Sequence, residues 1–122
     1  MLGLDGNDTL RGDLGGDRLT GGAGDDVFRY FDLPDSPSAG PRDVVTDFTQ
    51  GDDVFGLAGI DASVPLAFIG HGVAFGGVVG ELRSDDNGAN SIVEIDANGD
   101  AVADFTVNVT GVVVFVAADF VF

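Results

Sequence analysis

Residues 3–29 repeat with a period of nine, and that period limits the folds open to the chain more than any other feature. The three nonads read GLDGNDTLR (3–11), GDLGGDRLT (12–20) and GGAGDDVFR (21–29). Glycine opens each one at Gly3, Gly12 and Gly21 and returns at Gly6, Gly15 and Gly24. Aspartate holds the sixth position (Asp8, Asp17, Asp26), and a large hydrophobe holds the eighth (Leu10, Leu19, Phe28). The glycine-rich six residues can adopt backbone angles closed to other residues and so form a tight turn. The last three suit a very short strand whose central hydrophobe points inward while its neighbours point out. Two nonads then complete one turn of a flattened right-handed coil. Repeats one and three stack on one side, and repeat two lies on the other.

Stacking creates an electrostatic conflict. Adjacent strands lie ~4.8 Å apart, which brings Asp8 and Asp26 onto neighbouring loops. At an effective dielectric of about 20, two such charges repel by about 3 kcal/mol. A hard cation between the loops reverses the sign. Calcium takes about six to eight carboxylate and carbonyl oxygens in flexible geometry, whereas magnesium demands a tighter octahedron and keeps its waters. Zinc is disfavoured by the absence of cysteine and the presence of a single histidine. The plainer alternative is a series of glycine turns with solvated aspartates.

Composition narrows the function classes. Asp and Glu number 21 against five Arg and no Lys, a net charge of −16. That balance argues against nucleic acid, which needs a basic surface, and against an anionic membrane face. No apolar run reaches the roughly 18 residues of a membrane span, so no membrane insertion is expected. Without cysteine no disulfide framework exists, and divalent ions can take its place in an extracellular setting rich in calcium. Met1 abuts the repeats with no secretory leader between, and three repeats make only one and a half coil turns, so further turns are expected upstream in a larger parent.

Beyond the repeats, residues 30–42 read as a loop with three of the four prolines. Asp32, Asp35 and Asp43 lie where a fourth loop would stack on repeat two, so Asp17 is expected to share a second cation with Asp35 and Asp43, with carbonyls near Gly12 and Leu14. Residues 43–57 read as two short strands, 59–62 as a turn, and 66–69 and 81–83 as further strands. His71, between two glycines, reads as solvated. Residues 91–96 and 103–109 flank Asn98-Gly99, the strongest short hairpin signal. Asp96, Asn98, Asp100 and Asp104 have the look of a calcium loop, but the glycine is displaced and no glutamate closes it, so a hairpin turn is expected. Residues 112–116 read as a last strand before Asp119-Phe120-Val121-Phe122. No nucleophile–base pair stands out, and no catalytic residue is assigned.

The nonads resemble the RTX repeats of secreted bacterial proteins, which form calcium-loaded parallel β-rolls with each ion between loops two repeats apart. The resemblance implies one ion at Asp8 and Asp26 with carbonyls from about Gly3, Asp5, Gly22 and Gly24. Leu4 and Asp13 stand where that family prefers a second glycine. From Gly21 onward, GGAGDDVF, DVVTDF, GDD, GIDA, GELR, DANGDAVADF and ADFVF follow the C-terminal domain of serralysin-type metalloproteases in order and spacing. DDVFGLAGIDA departs from that family's lysine-bearing form. The implied fold is all-β: RTX repeats over residues 1–30 forming a short parallel β-roll, continuing into an antiparallel β-sandwich over 31–122. The implied role is a non-catalytic, calcium-binding, secreted module with an upstream catalytic domain. Its C-terminus, Asp119 to Phe122, would be read by a type I (ABC) exporter. Related modules also follow alginate epimerases, where they help hold polysaccharide. Without a basic or aromatic groove (Tyr30 is the only tyrosine, and tryptophan is absent) that role is the alternative.

Overall fold

The computed structural model describes residues 2–38 and 40–122. Met1, the abrupt start noted above, and Ala39 of the proline-bearing loop lie outside the described residues. The strands are β1 (Thr9–Leu10), β2 (Arg18–Leu19), β3 (Val27–Arg29), β4 (Val44–Val45), β5 (Val54–Gly56), β6 (Ala67–His71), β7 (Glu81–Asp86), β8 (Asn90–Asp96), β9 (Phe105–Thr110) and β10 (Phe120–Val121), with one helix, α1 (Ala58–Ser63). They form two sheets, β1-β3-β5-β10 and β2-β4-β9-β8-β7-β6.

The first three strands are the tails of the three nonads. β1 pairs in parallel with β3, setting Leu10 beside Phe28, while β2 lies in the other sheet. This is the alternation a two-nonad coil requires. Parallel stacking continues past the repeats: β3 pairs with β5 (Phe28 beside Phe55), β5 with β10, β2 with β4, and β4 with β9. Among the described strands antiparallel pairing runs through β7-β8-β9, with one further antiparallel bridge between Pro37 and Phe105, and β6 joins β7 in parallel. The fold is therefore all-β, a roll that runs into a mixed-sheet sandwich.

The inward hydrophobes of both sheets make one core. Leu10, Leu19, Phe28, Val45, Phe55, Val93, Ile95, Val107 and Val109 are all buried in it. Phe55 is its hub, packing against Phe28, Phe48, Phe115, Phe120 and Tyr30 at ring separations of 5.2–6.5 Å. Such offset and tilted contacts add to the area these rings remove from water.

Three local expectations are corrected. Residues 59–62 lie within α1, not a turn; six residues are too few to display a helical period, and the helix is held by Ile60 in the core and by its carbonyl accepting from Val64 N–H. Residues 112–116 form no strand: the Val113 N–H donates to Ser91 Oγ instead of a ladder, and Val112, Val114 and Val116 face solvent. His71 is not solvated, as described below. The 96–104 hairpin forms as expected, with Ile95 opposite Phe105.

Position two of each nonad needs left-handed backbone. Gly22 has φ +82°, and a side chain there would meet the Leu4 carbonyl of the stacked loop. Leu4 (φ 69°) and Asp13 (φ 61°) hold the same conformation without being glycine. Left-handed backbone costs an ordinary residue about 1–2 kcal/mol, and glycine costs about 0.5–1 kcal/mol in chain entropy. Leu4 is exposed, so its side chain offers little in return. Leu4→Gly is expected to raise stability by about 0.5–1 kcal/mol in urea denaturation with calcium present; an unchanged or lower midpoint would contradict strain at this site.

Candidate metal centre

The ladder that aligns the short strands also stacks the aspartates that precede them. The Asp8 N–H donates to Asp26 Oδ1 at 3.0 Å, and the Asp26 N–H donates to Asp53 Oδ1 at 2.9 Å. On the other side the Asp17 N–H donates to Asp43 Oδ1 at 2.9 Å. The expected pairs, Asp8 with Asp26 and Asp17 with Asp43, are thus neighbours. One oxygen of the accepting carboxylate is fixed by an amide of the adjacent loop. The other oxygens, Oδ2 of Asp8, Asp17, Asp26 and Asp43, are buried without any hydrogen-bond partner.

A buried acceptor left unsatisfied costs about 1–3 kcal/mol, and more when charged. Four in two neighbouring pairs need a common compensation. Every donor atom is oxygen, the loops offer no sulfur, and no lysine exists to reach in. The set fits a hard divalent cation of calcium's kind.

Gly3, Gly22 and Gly24 lie on the seam between the first and third loops, where Gly21 O faces Gly3 and Gly6 O faces Gly24. Gly12 lies against the carboxylates of Asp17 and Asp43. Asp5 and Leu14 are exposed residues of their loops. Asp35 is buried, and its Oδ2 accepts from the amides of Phe31 (3.2 Å) and Asp32 (3.3 Å), closing the 3-10 turn Leu33–Asp35.

Two aspartates of the stack were not singled out from the sequence. Asp53 takes the Asp26 amide on one oxygen and the Thr49 amide (2.8 Å) on the other. Asp47 accepts from Gly21 N–H (2.8 Å) and Gly22 N–H (2.7 Å). The signal for Asp53 was present: GDDVF at 51–55 repeats GDDVF at 24–28, three nonads further on. Asp47 carries no comparable signal.

The C-terminal segment is divided. Asp119 is buried, and its Oδ2 accepts from Gln50 Nε2 and Val116 N–H, both at 2.8 Å. Phe120 enters the core, while Val121 and Phe122 are about half exposed.

The whole chain, residues 1–122, matches the family described as Peptidase M10 serralysin C terminal. The chain belongs to that family. Its fold is similar to the AlgE6R3 subunit of the Azotobacter vinelandii mannuronan C5-epimerase, at TM-score 0.53 and 23% identity over 98% of this chain and 80% of that one. The AlgE6R2 subunit of the same enzyme aligns at TM-score 0.49 and 22% identity, over 100% of this chain and 90% of that one. No curated protein matches the sequence.

Elsewhere in this serralysin C-terminal domain two clusters of potential ligands, Asp96-Asp100-Asp104 and His71-Asp85-Asp86, have carboxylates that already accept hydrogen bonds. Asp96 accepts from Gly99 and Ala101 amides and Asp104 from the Ala97 amide, each at 2.8 Å, as a hairpin turn requires. His71 bonds Ser84 Oγ through Nδ1 (2.8 Å) and Asp86 Oδ2 through Nε2 (2.7 Å). This serine–histidine–aspartate row has the atoms of a hydrolytic triad, but Ser84 is fully buried, so the row braces β6 to β7. Among the described residues, no helix is long and apolar enough to cross a membrane.

Burial pushes the Asp43 carboxyl up to about 6, against the opposing hydrogen bond of the Asp17 amide and the nearby Tyr30 hydroxyl, and the charges of Asp17 and Asp35 push the same way as burial. Burial also raises Asp53. A carboxyl whose pKa is higher folded than unfolded favours the fold while protonated, and that advantage is lost as pH climbs from near 4 through about 6. In calcium-free buffer the domain should melt higher at pH 4.5 than at pH 7.5. With millimolar calcium the order should reverse, because ligation needs the ionised form. Melting curves at the two pH values, with and without calcium, check both signs.

Proposed function

We propose that this domain is a non-catalytic calcium-binding module of a larger secreted protein, a serralysin-like zinc metalloprotease, that folds when it meets calcium outside the cell. The four buried, unpartnered carboxylate oxygens carry this reading. One ion would be held by Asp8 and Asp26 with carbonyls of Gly3, Asp5, Gly22 and Gly24. A second would be held by Asp17 and Asp43, with Asp35 nearby and carbonyls of Gly12 and Leu14. Bound calcium supplies positive charge where the loops bring carboxylates together. Residues 1–30 serve as the repeat roll and 31–122 as the body it rests on, although strands from both parts share both sheets.

Low calcium inside the cell leaves the acidic loops repelling one another, and an unfolded chain suits passage through a type I exporter. Asp119, Phe120, Val121 and Phe122 would be read there before folding tucks Asp119 and Phe120 away. Outside, calcium binds the folded state alone, and its binding free energy becomes folding free energy. The upstream catalytic domain of the parent would carry the chemistry.

A groove of about 610 Å³ on the six-stranded sheet, whose lining includes Arg18, Asn87, Asn90 and Asn108 together with Asp85 and Asp86, is the place for a second reading. In it the domain is an accessory module of a polysaccharide-modifying enzyme such as an alginate epimerase. Alginate pulldown in calcium separates the two.

Circular dichroism in chelator and then in calcium tests the main reading. β-signal from the roll should appear only with calcium; full order in chelator would sink it. Calorimetry of Asp43→Ala should show one bound ion fewer than the parent chain, and an unchanged stoichiometry would remove Asp43 from the ligands.

A further inference from the structure

The two aspartate pairs are not equivalent, and the difference is Tyr30. Strand alternation carries Phe28 and then Tyr30 inward, while Arg29 points out. The Tyr30 ring packs edge-on against Phe105 at 5.1 Å and stacks on Phe55 at 6.5 Å. Its hydroxyl is buried and has no hydrogen bond of ordinary geometry. A buried phenol nearly always finds a partner. Three carboxylates lie close enough to act on it, Asp43 most strongly, then Asp17 and Asp35. A phenol hydroxyl is a donor that a carboxylate oxygen can accept.

Asp43 is held everywhere else. Its N–H donates to Ser36 Oγ at 2.9 Å, its carbonyl accepts from Asn108 N–H at 2.9 Å, and its Oδ1 accepts from the Asp17 amide. Only Oδ2 is without a partner. Ser36 in turn hydrogen-bonds the Thr106 carbonyl on β9, next to the Phe105 that carries the Tyr30 ring. No tyrosine other than Tyr30 exists to serve the Asp8/Asp26 pair.

We propose that Tyr30 is a positioning residue for the cation shared by Asp17 and Asp43, its hydroxyl orienting the Asp43 carboxylate from the core side while its ring ties that site to β9. This rests on the calcium reading above and adds to it a difference between the two sites. Loss of a group that orients a metal ligand typically weakens affinity by about 10- to 100-fold.

Tyr30→Phe removes the hydroxyl and keeps the ring. Calcium calorimetry on the variant should show one class of site weakened by about 10-fold or more, with the remaining affinity unchanged and the calcium-loaded circular dichroism spectrum preserved. A second measurement uses the unmutated tyrosine. The chain has one tyrosine and no tryptophan, so excited Tyr30 passes its energy to terbium in the calcium sites, most efficiently to the nearer ion. Terbium emission on tyrosine excitation should survive Asp26→Asn and largely disappear in Asp43→Asn. A Tyr30→Phe isotherm within twofold of the parent at every site overturns the proposal, as does sensitised emission lost with Asp26 and kept without Asp43. If the parent chain gives no calcium heat at all, the calcium reading falls and this inference falls with it. An intact isotherm indifferent to Tyr30→Phe removes this inference alone.

Discussion

The structure depends on carboxylates stacked at the spacing of paired strands. The Asp8 amide donates to Asp26, and the Asp26 amide donates to Asp53, so the bonds that set strand register also set carboxylate separation. The repulsion cannot be relieved by sliding a strand, because a one-residue slip would turn Leu10, Phe28 and Phe55 out of the core. Pairing and charge crowding are one geometric fact. Some carboxylates in the stack accept amide hydrogen bonds on both oxygens, as Asp53 and Asp47 do. Asp8, Asp17, Asp26 and Asp43 each keep one buried oxygen without a hydrogen-bond partner, an arrangement that fits a cation between the loops.

The two aspartate columns meet different surroundings. The column of Asp8 and Asp26 ends at Asp53 under the loop that leads into β5. The column of Asp17 and Asp43 ends against β9, through Ser36, the Asn108 amide and Tyr30. β9 is also where parallel stacking gives way to the antiparallel hairpins. Whatever neutralises Asp43 therefore acts where the roll is joined to the rest of the domain.

Much of this was legible in the sequence because the nonad puts turn, ligand and core residue at fixed offsets. The pairing of Asp8 with Asp26, 18 residues apart, follows from that period alone, whereas Asp17 with Asp43, 26 residues apart, was expected together with Asp35 from the position of the loop that follows the repeats. The period becomes hard to follow after Arg29, where the loop of residues 30–42 interrupts it, and Asp53 was missed although its GDDVF restores the register. Asp47, the partners of His71 and the helix at Ala58–Ser63 were illegible for another reason. Each depends on contacts from distant segments: the Gly21 and Gly22 amides, Ser84 and Asp86, and the core around Ile60. The run VVVFV at 112–116 misled because a short unbroken apolar, β-branched stretch reads as a strand, whereas the Val113 amide bonds a serine side chain.

Strands of two or three residues give few hydrogen bonds for the loop closure each one requires. β1 to β5 and β10 are all of this kind, and each pairs in parallel with a strand far away in sequence. The antiparallel strands β7, β8 and β9 are six or seven residues long and joined by short turns, so their pairing is local. The chain thus divides into a part whose own hydrogen bonds favour it and a part where closure entropy and carboxylate repulsion both oppose order. No disulfide can offset those terms, since the chain has no cysteine. A ligand that binds only the stacked loops acts on the second part alone, and so can control when the roll forms while leaving the hairpins as the surface on which it forms.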